Sequence, residues 1–168
     1  MASARSSVTA EDPEIRLLLA LMDEAFERKA WHGTNLRGSL RGLGPAEAAW
    51  RPGRGRHNVW EIVVHTAYWK YAVRRQLTGE KRGSFLHRGS NWFERPIRPS
   101  EAAWKDDVAL LVAEHRKLRQ VVAGLRGPGL SRRSGGSRYD WAALIRGIAS
   151  HDLYHAGQIQ LLKRLRPS

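Results

Sequence analysis

The chain has 168 residues, of which 42% are hydrophobic, and it carries a formal net charge of +13 at pH 7. This length and apolar content predict one globular domain with a buried core. The absence of cysteine excludes disulfide bonds and thiolate metal ligands. No apolar run approaches the roughly 18 residues of a membrane span, and the N-terminus lacks the apolar segment of a signal peptide. We therefore expect a soluble cytoplasmic protein without membrane contact.

The positive charge raises the question of nucleic-acid binding. However, the basic residues are spread along the chain, no block of them is longer than two, and no zinc-finger or RNP motif occurs. This distribution favours a cationic, solvated surface over a nucleic-acid site. A basic interaction module without catalytic activity stays open as an alternative.

The first half of the chain predicts two helices. Residues 1–10 are expected to form a flexible tail, followed by a helix over residues 13–40 that Asp12 caps and Pro13 opens. Apolar residues recur at helical spacing in its first half, whereas glycines interrupt its second half. The second helix is predicted over residues 58–78, where Asn58 and Glu61 have the spacing of a capping box.

The second half predicts two further helices, over residues 100–125 and 139–165. In both, apolar residues alternate at spacings of four and three, which is typical of helices that cross at shallow angles in a four-helix bundle. No stretch alternates long enough to indicate a strand. The second and third helices are joined by a crossover without a helical pattern, Gly79 to Pro99. A loop of this length without regular structure often has a functional role. The predicted fold is an all-α four-helix bundle over residues 11–168.

The most informative motif is a pair of histidines, His151 and His155, in the fourth predicted helix. Both lie on its inward stripe, one helical turn apart. Two buried imidazoles at this spacing are hard to satisfy with hydrogen bonds alone, but their nitrogens converge readily on one metal ion. Gln158 lies one turn further on the same stripe, where we expect it to bond a ligand imidazole or the opposing backbone.

A catalytic metal site needs a third protein ligand beside this pair. His65 is the favoured candidate because it lies mid-helix among apolar residues with no charged neighbour to form a salt bridge. His115 shares the inward stripe of the third helix and stays open as a ligand or a proton shuttle. The three remaining histidines lie in or near predicted loops: His32, His57 and His87.

Two segments, NVWEIVVHTAYW at residues 58–69 and HDLYHAGQI at residues 151–159, resemble the DinB-like (DinB/YfiT) superfamily. The resemblance covers nearly the whole chain, including the long crossover. It implies a bundle of up-down-down-up type, often a homodimer, whose metal is held by His65, His151 and His155. It also implies a relationship to thiol-dependent S-transferases and a mycothiol-dependent isomerase.

Three imidazole ligands do not discriminate sharply among Zn²⁺, Ni²⁺, Mn²⁺ and Fe²⁺. Two reactions at such a metal stay open. In the first, the metal lowers the pKa of a low-molecular-weight thiol, so that a small-molecule substrate is attacked by thiolate without a separate base. Residues at the mouth would then hold the carboxylates of the thiol: Trp92, Arg95, Arg98 and Arg146.

The second chemistry is hydrolysis by metal-bound water, which usually requires a nearby carboxylate as proton acceptor. Asp152 follows His151 but faces about 100° away from it on the helix, so it is expected to be an outer partner or a surface charge. Glu61 lies one turn before His65 and is the better candidate, although capping explains it equally well. The catalytic residues beyond the metal ligands are not identified.

Overall fold

The computed structural model describes residues 12–135 and 137–167, and over these ranges the chain is all-α without a strand. The predicted flexible tail, residues 1–10, lies outside the described residues. No helix in the described part is long and apolar enough to cross a membrane. Six α-helices follow in chain order: α1 Pro13–Phe26, α2 Leu36–Ser39, α3 Pro45–Ala49, α4 Val59–Thr78, α5 Glu101–Ala123 and α6 Trp141–Leu165.

The predicted first helix, residues 13–40, is wrong in its second half. Asp12 caps α1 as expected by accepting a hydrogen bond from the Glu14 backbone N–H, but the helix ends at Phe26. Gly33 then adopts a φ of +98°, a left-handed conformation that an α-helix excludes. Asn35 starts the short helix α2 by accepting a hydrogen bond from the Gly38 N–H at 2.7 Å.

Helix α4 is confirmed almost to the residue. The Asn58 side chain accepts from the Glu61 N–H at 2.7 Å, and Glu61 accepts from the Asn58 N–H at 3.3 Å, which completes the predicted capping box. Gly79 ends the helix in the left-handed region with a φ of +76°. Helices α5 and α6 likewise begin after polar caps, Ser100 and Asp140, within two residues of their predicted starts.

The four long helices share one interior. Helix α4 packs against both α5 and α6, and α1 packs against the same two helices. Because α4 has neighbours on several sides, it is buried over most of its circumference. The face of α4 that carries His65 meets α6 inside the protein. The up-down-down-up order of helix directions stays a prediction.

The crossover between α4 and α5 is without regular structure, as expected, but polar contacts anchor it. Asp107 of α5 accepts hydrogen bonds from His87 Nε2 at 2.9 Å and Arg95 Nε at 2.8 Å. The same carboxylate accepts from Trp60 Nε1 at 2.6 Å. Asn58, which caps α4, also donates from Nδ2 to the Arg95 carbonyl at 2.8 Å. These contacts hold the crossover against the end of α4 that leads to His65.

A charged pair joins α4 to α6 inside the core. Lys70 Nζ lies 2.5 Å from Asp152 Oδ2, and each side chain is only 1% exposed. The ammonium also lies 4.9 Å from the centroid of the Phe26 ring, a cation–π distance. Asp152 is therefore not a surface charge, which was one of its two expected roles.

Candidate metal centre

Three histidine side chains meet between α4 and α6. His65 reaches in from the middle of α4, while His151 and His155 project from successive turns of α6. The Nε2 atom of His151 lies 3.1 Å from the Nε2 atoms of both His65 and His155. One nitrogen from each ring falls within 4.8 Å of the other two. The structure thus brings together the three histidines named from the sequence, and their role as metal ligands stays a prediction.

Hydrogen bonds from two rings fix which nitrogen faces inward. His65 Nδ1 donates to the Asn91 carbonyl at 2.7 Å, and His155 Nδ1 donates to Gln158 Oε1 at 2.7 Å. Since a neutral imidazole carries one proton, the Nε2 atoms of both rings present lone pairs to the centre. The expectation that Gln158 bonds an imidazole is confirmed.

The inward-facing lone pairs are not satisfied by the histidines themselves. His151 Nε2 donates to at most one of the two neighbouring rings if it carries the proton. If His151 carries the proton on Nδ1 instead, that atom is buried without a hydrogen-bond partner in the described part of the chain. A cation at the centre takes up all three Nε2 lone pairs together, so the donor set fits a metal ion. The proton of His151 then lies on Nδ1, the atom without a hydrogen-bond partner among the described residues.

All three imidazoles are neutral at pH 7, as ligation requires. Burial, together with the neighbouring histidines and Lys70, lowers the pKa of His151 to about 3. Burial is also the main cause that lowers the pKa of His155 to about 4. Burial lowers the pKa of His65 too, against the opposing effect of its bond to Asn91.

Two of the three nitrogen separations also match those around one ion. Two imidazole nitrogens that each lie about 2.0–2.1 Å from a metal are roughly 2.9–3.4 Å apart for angles between octahedral and tetrahedral values. The two observed separations of 3.1 Å fall in this range. Three histidines leave at least one coordination position for a water molecule or a substrate.

The crossover completes the site from the side of His65. Trp92 stacks on the His65 ring with a centroid distance of 3.9 Å, and its other face stacks on His57 at 3.6 Å. Asn91 adopts a positive φ of 66°, and besides accepting from His65 it accepts from Trp69 Nε1 at 2.9 Å. Trp92 was predicted at the mouth of the metal site, whereas Asn91 was not predicted. The sequence of a loop without periodicity does not show which of its carbonyl groups contacts a helix.

Both candidate carboxylates are already paired with cations. Glu61 accepts from Arg51 Nη1 at 2.8 Å and contacts His57 Nδ1 at 2.9 Å. Asp152 is paired with Lys70, and neither carboxylate belongs to the group of converging ligand atoms. The centre among the described residues is therefore an all-imidazole one.

The remaining predicted site residues lie elsewhere. His115 is buried against Phe26, with stacked rings 3.7 Å apart, and burial near Lys70 lowers its pKa to about 2. It is not part of the histidine cluster. Arg95 is paired with Asp107, and the other two arginines expected at the mouth are exposed: Arg98 and Arg146.

Replacing Gln158 by leucine is expected to weaken metal binding by about 10- to 100-fold, because the outer partner that orients a ligand histidine is lost. Leucine keeps the approximate size of the side chain, so α6 should fold normally. Isothermal titration with Zn²⁺ measures the change. Gln160→Leu, a matched change on another face of α6, should bind like the wild-type protein, and an equal loss in both variants would contradict the assigned role.

Comparison with known proteins identifies the family of the chain. The family model described as the DinB superfamily matches residues 13–159, which includes all three histidines and the whole of the crossover. No curated protein and no solved structure matches the chain significantly. Because the family match spans most of the sequence, the chain belongs to the DinB superfamily.

Proposed function

We propose that this protein is a metal-dependent transferase that activates a low-molecular-weight thiol. The observation that supports this most directly is the convergence of three neutral imidazole nitrogens within 4.8 Å of one another. A divalent cation held there by His65, His151 and His155 would lower the pKa of a bound thiol and so would supply thiolate at neutral pH.

The chain contributes orientation and exclusion of water. Asn91 and Gln158 accept the Nδ1 protons of His65 and His155, so both Nε2 lone pairs point inward without further adjustment. Trp92 covers one face of His65. In the transfer step, the thiol proton leaves to solvent, sulfur forms a bond to an electrophilic carbon, and the leaving group departs with its electron pair.

The paired carboxylates support thiol activation over hydrolysis. Hydrolysis usually requires a free carboxylate or a comparable base near the attacking water. Glu61 is held by Arg51 and His57, and Asp152 is held by Lys70. A thiol has a much lower pKa than water, so the metal alone suffices to ionise it. Hydrolysis therefore ranks second among the enzymatic functions.

A basic interaction module ranks third. Several arginines are engaged in ion pairs with acidic side chains instead of forming one open stripe, among them Arg51, Arg74, Arg95 and Arg119.

The proposal further includes an up-down-down-up four-helix bundle, a homodimer, a small-molecule substrate, a cytoplasmic location and one ion of Zn²⁺, Ni²⁺, Mn²⁺ or Fe²⁺. Nucleic acid is not favoured as a partner.

Cobalt substitution provides the test. Protein loaded with Co²⁺ should develop thiolate-to-cobalt charge-transfer absorption in the near ultraviolet when mercaptoethanol is added. Ethylene glycol, which lacks sulfur, should not produce this band, and His65→Ala should not produce it with either compound. A cobalt spectrum that the thiol leaves unchanged would overturn thiol activation while leaving the metal site intact.

A further inference from the structure

A cavity of about 520 Å³ opens beside the candidate metal centre, between α4 and α6. His151, the central member of the histidine cluster, is one of its lining residues. Its volume lies within the range of roughly 300–1,000 Å³ that is typical of small-molecule sites. The walls are mostly aromatic and aliphatic side chains, including Trp69, Val73, Tyr139 and Ile148.

The described lining of this cavity contains no Asp, Glu, Lys or Arg. This is unexpected for a chain with 29 basic residues and a net charge of +13. Its polar side chains include the uncharged Gln76 and Ser137. An ionic group along these walls would lose hydration without gaining a counter-charge from the lining, whereas an apolar group would be stabilised there.

We propose that this cavity binds the uncharged, largely apolar body of the electrophilic substrate, with its reacting atom directed towards His151. The inference rests on the proposed transferase function and specifies its substrate class. It assigns the apolar reactant to the cavity between α4 and α6. A charged thiol would then reach the histidine cluster from a side other than this cavity. The cavity and the histidine cluster share His151, so the two reactants would meet at that residue.

Two glycines of α6 provide a matched pair of variants. A Cβ atom added at Gly147, which lines the cavity, meets nothing within 4 Å. A Cβ atom added at Gly157 is equally free, but this residue does not line the cavity. Leucine at either position raises helix propensity, so both variants should fold. Only Gly147→Leu places a side chain in the space assigned to the substrate.

Two dyes that differ by one sulfonate provide a matched pair of probes. N-Phenylnaphthylamine is neutral and fluoresces strongly in an apolar site, and anilinonaphthalene sulfonate carries the same rings with a negative charge. Fluorescence titration of the wild-type protein with the neutral dye should saturate at one site per chain. Gly147→Leu should weaken that binding by roughly tenfold or more, because the added side chain occupies the cavity, while Gly157→Leu should leave it unchanged.

The outcomes separate this inference from the proposed function. His65→Ala should still bind the neutral dye, since His65 does not line the cavity, even though it is expected to lose the metal. Dye binding that is insensitive to Gly147→Leu, or equally sensitive to both leucine variants, would overturn the cavity as the apolar site. If Gly147→Leu weakens binding of the sulfonated dye as strongly as it weakens binding of the neutral dye, the preference for an uncharged substrate is overturned.

Discussion

Replacing His151 by alanine is expected to abolish stoichiometric binding of a divalent cation while leaving the helix content unchanged. His151 lies between the other two histidines, with its Nε2 atom 3.1 Å from each of theirs. Its removal leaves two ligands that no longer define a closed site, and a two-histidine site holds a metal far more weakly than a three-histidine one. Alanine favours helix, so the backbone of α6 should persist.

Elemental analysis of protein purified without a histidine tag measures this effect, together with circular dichroism for helix content. The wild-type protein should contain about one transition metal per chain, as expected for a mononuclear three-histidine site, and His151→Ala should contain none. His32→Ala is the matched control, because His32 is exposed and outside the cluster. Full metal content in His151→Ala would show that the ligand set is wrong.

Replacing Lys70 by methionine is expected to lower the free energy of unfolding by about 3–5 kcal/mol, because it leaves the buried carboxyl of Asp152 without its counter-charge. Both side chains are 1% exposed, so water does not take the place of the lost ammonium. Methionine nearly preserves the volume of the lysine chain, which limits any cavity contribution. Urea unfolding at pH 8 measures the loss.

The double variant Lys70→Met/Asp152→Leu separates lost charge pairing from lost packing. Replacing both partners with apolar groups should recover most of the stability, since a buried ion pair contributes little relative to hydrophobic residues of similar size. If the double variant is as unstable as Lys70→Met, the paired charges are not the cause of the loss.

The destabilisation by Lys70→Met should also depend on pH. Burial raises the pKa of Asp152 to about 6 even with Lys70 beside it, and removing the cation raises that pKa further. A carboxyl whose folded pKa exceeds its unfolded value binds more protons when folded, so stability falls as pH rises above the unfolded value. The cost of the substitution should therefore be smaller at pH 5 than at pH 8.

Local signals account for what could be predicted. The caps of α4, α5 and α6 depend on side chains within three residues of the helix start, and the sequence shows these directly: Asn58, Ser100 and Asp140. The spacing of His151 and His155 is likewise local, because one helical turn places both on one face. The second half of the first predicted helix was wrong because α1 ends at Phe26, and in the segment that follows Gly33 adopts a left-handed conformation that a helix excludes.

Contacts between distant segments could not be predicted in the same way. The pairing of Asp152 with Lys70 depends on how α6 is rotated against α4, and the sequence of neither helix specifies that rotation. The signal that was available is Lys70 itself, a charged residue between Trp69 and Tyr71 in the largely apolar middle of α4. The position of Asn91 depends on the folded path of a loop without periodicity.

The division of the three histidines between two helices has a mechanical consequence. The separation of His151 and His155 is set by one turn of α6, so the distance between α4 and α6 is the main variable that decides whether the cluster closes. An ion bound by both helices would act as a cross-link between positions 86 residues apart in a chain that contains no cysteine. A covalent link that closes a loop of this order is worth about 4–5 kcal/mol in the chain-entropy description. An ion bound there would thus hold α4 and α6 together as a disulfide does in secreted proteins.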